Sequence, residues 1–212
     1  MNTGICFVVG AGADYGLNFV PRPGDCVIGA DGGFTALTRH GLSADLVIGD
    51  LDTLPDRPDH RNVVTLPKEK DDTDTWAAVH EGIRGGYRTF HLYGCTGGRL
   101  DHTLANIQLL AFLSQQGMTG FLFDRDSVIT AITDRRMTFG RQGGGYISVF
   151  SHSETSEGVC LTGLKYELDN AALTGVYPLG VSNEFTGGES VISVRKGTLV
   201  IVFPEEAMKN LL

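Results

Sequence analysis

The chain has 212 residues, of which 42% are hydrophobic and 20% charged, and its formal net charge is -8. Such a balance fits an ordinary globular protein of one domain or two small ones. The negative surface argues against nucleic acid or an anionic membrane as partner, and no run approaches the roughly 18 apolar residues of a membrane span.

ICFVV is the first strand, followed by Gly10 and Gly12. CVIGAD is a second, with Gly32, Gly33 and a short helix near FTALTRHG behind it. DLVIGD and NVVTL are the third and fourth. DTDTWAAVHEGIRGG predicts a helix that stops at Gly85 and Gly86. TFHLYG is the fifth strand. LDHTLANIQLLAFLSQQG predicts a long helix with Leu100, Leu104, Ile107 and Ala111 on one face and Gly117 as its stop. GFLFD is the sixth strand. Continuous apolar runs separated by helices predict an α/β class, a Rossmann-like parallel sheet covered on both faces.

Beyond about residue 125 the grammar changes. SVITAIT, YISVFSH, GVCLTGL and SVISVRKGTLVIVF come one after another without helices. Lys196 and Gly197 are expected to split the last run into a hairpin, and RQGGG, residues 141–145, is the stretch richest in conformational freedom. This predicts an all-β sandwich. The expected division is an α/β domain over 1–135 and a β-sandwich domain over 136–212.

The N-terminus lacks a basic region and a long apolar core, so no signal peptide is expected. Cys6, Cys26, Cys95 and Cys160 form no C-x-x-C pair, which disfavours zinc. Reduced thiols and a cytoplasmic location are the expectation.

The strand ends carry the chemistry. Open α/β sheets bind ligands beyond the carboxyl ends of their strands. Asp31 follows the second strand and Asp50 and Asp52 the third. Asp71, Asp72 and Asp74 follow the fourth, and Arg99, Asp101 and His102 the fifth. Residues i and i+2 of a strand lie on one side, roughly 7 Å apart. At an effective dielectric of about 20, two such carboxylates repel by roughly 2 kcal/mol. A divalent cation offsets that cost; so does full solvation in a turn. Each motif has a plainer reading. Asp31 makes an Asx turn, Asp71 or Asp72 caps a helix, and Arg99 pairs locally with Asp101. Their conjunction on one rim favours a cation. Oxygen ligands suit Mg²⁺, and a GGR turn lets backbone and guanidinium approach phosphate. The residues therefore point to a Mg-nucleotide or Mg-diphosphate site for phosphoryl-type transfer, without a P-loop.

The strings ADGG, GDLDT, KDDTDT and GGRLDHTLANI, then GLKYEL and GVSNEF, occur in the order and spacing of thiamine pyrophosphokinases. The chain resembles that family over most of its length. The resemblance implies an α/β domain followed by a β-sandwich, and transfer of a pyrophosphoryl group from ATP to the thiamine hydroxyl, releasing AMP. It implies Mg²⁺ on Asp50, Asp52 and Asp74, support from Asp71 and Asp101, and a phosphate grip by Arg99. Asp31 and His102 fall on the nucleotide side. It also implies a homodimer whose active sites are shared, with Ser182, Asn183 and Phe185 near thiamine. Without it, Ser182 and Asn183 read as turn residues and Phe185 as core. Leu51, Thr53 and Glu167 depart from the common pattern and remove no proposed ligand.

Three rivals fit less well. A phosphohydrolase built on Asp50 and Asp52 wants its motif at the first strand. A dinucleotide-dependent oxidoreductase wants tighter glycine spacing than Gly10, Gly12 and Gly16 offer, and an uninterrupted helix after them. A non-catalytic thiamine sensor has no need of the acidic rim.

Overall fold

The structure, a computed structural model, describes residues 3–51, 60–67, 69 and 71–212. Its contacts divide the chain into two units, Met1–Leu109 with Leu122–Arg125, and Leu110–Phe121 with Asp126–Leu212.

The first unit is α/β. Strands β1 Ile5–Val9, β2 Cys26–Ala30, β3 Leu46–Gly49, β4 Val63–Thr65 and β5 Thr89–Tyr93 run parallel in the order β5-β1-β2-β3-β4. β1 and β2 are buried over nearly their whole length, which is why their sequences are unbroken apolar runs rather than alternating ones. Cys6 lies in register with Cys26 across these two strands, and all four cysteines are free thiols.

Helices α1 Gly33–Arg39, α2 Asp74–Arg84 and α3 Leu100–Gln115 follow β2, β4 and β5. α2 begins at Thr73, whose hydroxyl accepts the Trp76 amide at 3.2 Å. The cap is therefore neither Asp71 nor Asp72, and Asp74, in the first turn, complements the helix dipole. α3 departs from the expected apolar face. Leu100 and Leu104 are 72% and 56% exposed, and the buried side is Asn106, Leu109, Leu110, Ala111 and Leu113. The fully buried apolar side chains of α3 begin only in its third turn, at Leu109. β6, Thr119–Phe123, follows α3.

The second unit is antiparallel β. Strands β7 Ser127–Thr133, β9 Tyr146–Ser151, β12 Gly180–Glu184 and β14 Thr198–Pro204 pair in the order β12-β9-β14-β7. Strands β8 Arg136–Phe139, β10 Thr155–Thr162, β11 Leu168–Thr174 and β13 Ser190–Ser193 form the sheet β11-β10-β13-β8. Lys196 and Gly197 do split the last apolar run, but into no hairpin. β13 pairs with β10 and β8, whereas β14 pairs with β7 and β9. Gly197 has φ +118°, and its amide donates to Asp134 Oδ1 at 2.7 Å, which turns the chain from one sheet into the other. Phe139, Phe185 and Phe203 fill the interior, with ring centroids 5.3 and 5.0 Å from Phe139. A 3₁₀ helix, Glu205–Asn210, closes the chain.

Candidate active site

Three carboxylates reach one point of the α/β unit from three elements. Asp31 directly follows β2 and is 7% exposed. Its amide donates to Ile48 O at 2.8 Å, and its φ of +50° is a left-handed conformation that Asp tolerates better than most residues. Asp50 follows β3, and Asp74 opens α2. Asp31, Asp50 and Asp74 each offer an oxygen, and these oxygens lie within 4.8 Å of one another. Opposite oxygens around an octahedral Mg²⁺ are about 4.2 Å apart. Three hard oxygen donors gathered this closely are the donor set that such an ion takes. Asp31, read from the sequence as a nucleotide-side residue, thus joins the cluster. Asp52 lies outside the described residues, as do Thr53, Asp56, Lys68 and Lys70.

Beside the carboxylates opens a cavity of about 410 Å³, within the range of small-molecule sites. Asp31, Asp50, Asp74 and Thr75 form one wall. Arg99, His102, Thr103 and Asn106 form another, at the i, i+3, i+4, i+7 spacing of a single face of α3. The floor is two loops laid against each other, one after β1 and one after β5. Gly10 N donates to Tyr93 O at 2.8 Å, Gly12 N to Gly94 O at 2.7 Å and Ala13 N to Thr96 O at 2.8 Å. A Cβ on Gly10 would lie 2.8 Å from Gly94 O, and one on Gly12 2.7 Å from the same oxygen. The glycines that resemble an incomplete dinucleotide fingerprint therefore serve loop-to-loop contact. Cys95 also lines the cavity, but burial pushes its thiol up to about 12, so it is neutral and no nucleophile.

Arg99 is 70% exposed and held by Asp101, with Nε to Oδ1 at 3.2 Å and Nη2 to Oδ2 at 2.6 Å. The bond with Arg99 holds the Asp101 carboxyl below the usual carboxylate range. Asp71 and Asp101 are exposed, and neither belongs to the three-oxygen cluster or the cavity lining.

Ser182, Asn183 and Phe185 belong to the second unit. Ser182 is exposed in β12 with φ +55°. Asn183 is 3% exposed; its Oδ1 accepts Tyr166 N at 2.9 Å and its Nδ2 donates to Tyr166 O at 2.7 Å. Phe185 is 5% exposed and packs edge-on against Phe139. Thr75, Thr96 and Asn106 were not singled out from the sequence. The signal for Asn106 was available: it falls on the helical face that Arg99 and His102 begin.

An α/β unit that gathers carboxylates, a glycine turn and an arginine at its strand ends is built for phosphate chemistry. Residues 22–122 match the model of the thiamin pyrophosphokinase catalytic domain, and residues 133–199 that of the thiamin pyrophosphokinase vitamin B1 binding domain. The chain belongs to the thiamin pyrophosphokinase family, and it is an enzyme of thiamine diphosphate synthesis. A thiamine pyrophosphokinase of Bacillus subtilis (strain 168) is 30% identical over 182 residues, 82% of this chain and 85% of that protein. The crystal structure of the thiamine pyrophosphokinase from Bacillus subtilis superposes with TM-score 0.84 at 26% identity, covering 94% of this chain and 98% of that one. That of the thiamin pyrophosphokinase from Geobacillus thermodenitrificans gives 0.82 at 30% identity, covering 95% and 97%.

Proposed function

We propose that this enzyme moves the terminal pyrophosphoryl group of ATP to the hydroxyl of thiamine at the cavity of its α/β unit, with Asp31, Asp50, Asp52 and Asp74 as the ligands of Mg²⁺. The observation that carries this reading is the convergence of three carboxylate oxygens within 4.8 Å beside a cavity of about 410 Å³. Three like charges so close are tolerable when a hard cation neutralises them.

The cation, when bound, neutralises charge on the phosphates and on the departing AMP. The chain's own groups do the rest. Arg99 leaves Asp101 to grip a phosphate, an exchange made easy by the exposure of that pair. Gly97 and Gly98 let the backbone come close beside it. His102 and Asp31 line the cavity, and we read them as its nucleotide side. The thiamine oxygen attacks the β-phosphorus, the bond from the β-phosphorus to the bridging oxygen breaks, and AMP leaves. A carboxylate on a cation is a poor proton acceptor, so the hydroxyl proton leaves to solvent, and Asp71 and Asp101 support the metal or the substrates from outside the cluster.

We read residues 1–135 as the Rossmann-like catalytic part and 136–212 as a β-sandwich that receives thiamine. Ser182 offers the accessible hydroxyl, with Asn183 and Phe185 shaping the strand behind it. We read the enzyme as a cytoplasmic homodimer whose sites are shared. In support, Val176, Tyr177, Leu179 and Val181 leave an exposed apolar run leading into β12.

The test is incubation with ATP, Mg²⁺ and thiamine. AMP and thiamine diphosphate are expected in equal amounts, and Asp50→Asn should abolish both while leaving the circular dichroism spectrum unchanged. Release of ADP, or a fully active Asp50→Asn enzyme at limiting Mg²⁺, would refute the assignment.

A further inference from the structure

We propose that Asp124, with Asn106, is a positioning residue for the pyrophosphoryl donor: the two clamp the Cys95–Gly98 turn in the shape that meets the phosphates. The inference rests on the reading of the cavity as the ATP site.

Thr96 is 5% exposed and lines the cavity. Its hydroxyl donates to Asp124 Oδ1 at 2.7 Å. Asp124 directly follows β6 and lies in none of the motifs that carry the family resemblance. Asn106 is 3% exposed, and its Nδ2 donates to Cys95 O at 2.8 Å. Thr96 O in turn accepts Ala13 N at 2.8 Å. Two successive carbonyls and one side chain of the turn are thus tied to three different elements: α3, the loop after β1 and the end of β6.

These ties matter because the next two residues are glycines. Gly97 has φ +72°, and the chain then passes through Gly98 to Arg99. Two adjacent glycines have far more backbone freedom than other residues. Left to itself, such a turn would sample many shapes, and each phosphate bound would have to order it. Fixing Cys95 and Thr96 sets the direction in which Gly97 leaves, so the amides of the turn and the start of α3 are already aimed. The role of Asp124 is to accept one hydrogen bond. It acts through Thr96 and touches no substrate.

That role makes a specific demand on variants. Asp124→Asn keeps an oxygen that accepts the Thr96 hydroxyl; Asp124→Ala keeps none; Thr96→Val keeps the shape of Thr96 without its donor. Steady-state AMP release is measured for these three, for the Thr96→Val/Asp124→Ala double variant and for Asn106→Ala, with ATP and thiamine varied separately. Asp124→Ala, Thr96→Val and Asn106→Ala are each expected to raise KM for ATP about tenfold, with KM for thiamine changed less than twofold. The Thr96→Val/Asp124→Ala double should be no worse than either single, because both delete the same bond. Asp124→Asn should stay within threefold of wild type.

An unchanged KM for ATP in Asp124→Ala overturns the proposal. So do multiplying effects in the double variant, Asp124→Asn as impaired as Asp124→Ala, or a fallen melting temperature with normal kinetics. A wild-type enzyme that releases no AMP removes the reading of the cavity and this inference with it. A wild-type enzyme that does, beside an unaffected Asp124→Ala, removes the inference alone.

Discussion

The amide of Asp31 donates to the carbonyl of Ile48 at 2.8 Å, one step beyond the Ala30–Ile48 register of β2 and β3. This bond levels the two strand ends, so that the carboxylate after β2 meets the one after β3 rather than turning into solvent. Asp31 should therefore behave as a cation ligand. Asn also tolerates φ +50°, so Asp31→Asn should fold normally. We expect its requirement for Mg²⁺ to rise about tenfold or more, a loss of roughly 1.4 kcal/mol or greater in cation binding. Activity measured against Mg²⁺ concentration decides it: an unchanged half-saturation point would assign Asp31 to the turn alone.

Helix α2 sits on the sheet through a glycine. A Cβ on Gly82 would fall 2.7 Å from Phe90 Cε1 and 2.8 Å from Cys6 Sγ, and both those residues are fully buried. Ala is the better helix former by about 1 kcal/mol. Overpacking a closed interior costs about 1–3 kcal/mol. Sterics should win, so Gly82→Ala should lower the denaturant midpoint. A stabilised Gly82→Ala protein would mean that the helix shifts freely on the sheet.

Much of this architecture was legible beforehand. The parallel strands announced themselves because strands buried on both faces must be apolar throughout, and the ends of α2 and α3 because Gly85 and Gly117 follow them. β11 and β12 carried no such signature. Most of their side chains are exposed or half-buried, and Ser182 in β12 is left-handed, so neither run alternates. The supposed hairpin at Gly197 failed for another reason: pairing partners lie far apart in the chain, and local turn chemistry does not name them. The site shows the same limit. Spacing identified the acidic strand ends, but among the described residues only the relative heights of β2, β3 and α2 bring Asp31, Asp50 and Asp74 together. Asp124, joined to Thr96 through space, had no sequence signal at all.

His91 ties stability to pH. It lies on β5 among aromatic rings, with its centroid 5.5 Å from that of Phe7 and 5.2 Å from that of Phe123. Burial pushes its pKa down to about 4 from the ordinary 6.5. Between those values the unfolded chain binds a proton that the folded chain refuses. Stability is thus full above pH 6.5 and falls as the pH drops toward 4, by about 3 kcal/mol at the limit. Urea unfolding of His91→Phe, which cannot titrate, should show a flatter dependence across that window. Parallel curves for variant and wild type would place the acid sensitivity elsewhere.

The proposed sharing of active sites between subunits is tested by complementation. Asp50→Asn damages the α/β unit, and Ser182→Trp crowds the exposed hydroxyl of β12 in the second unit. Each homodimer should be inactive. If each site takes its carboxylates from one chain and its thiamine surface from the other, a mixed dimer places both lesions in one site and leaves the second intact. Random reassortment of equal amounts makes half the dimers mixed, so about a quarter of wild-type activity should return. Subunits are exchanged in mild urea, diluted and assayed for AMP. Recovery to that level, absent when either variant is treated alone, is the expected result. No recovery, with dimers verified by sedimentation, would mean that each chain completes its own site. The apolar run through Val176, Tyr177 and Val181 would then need another reason for its exposure.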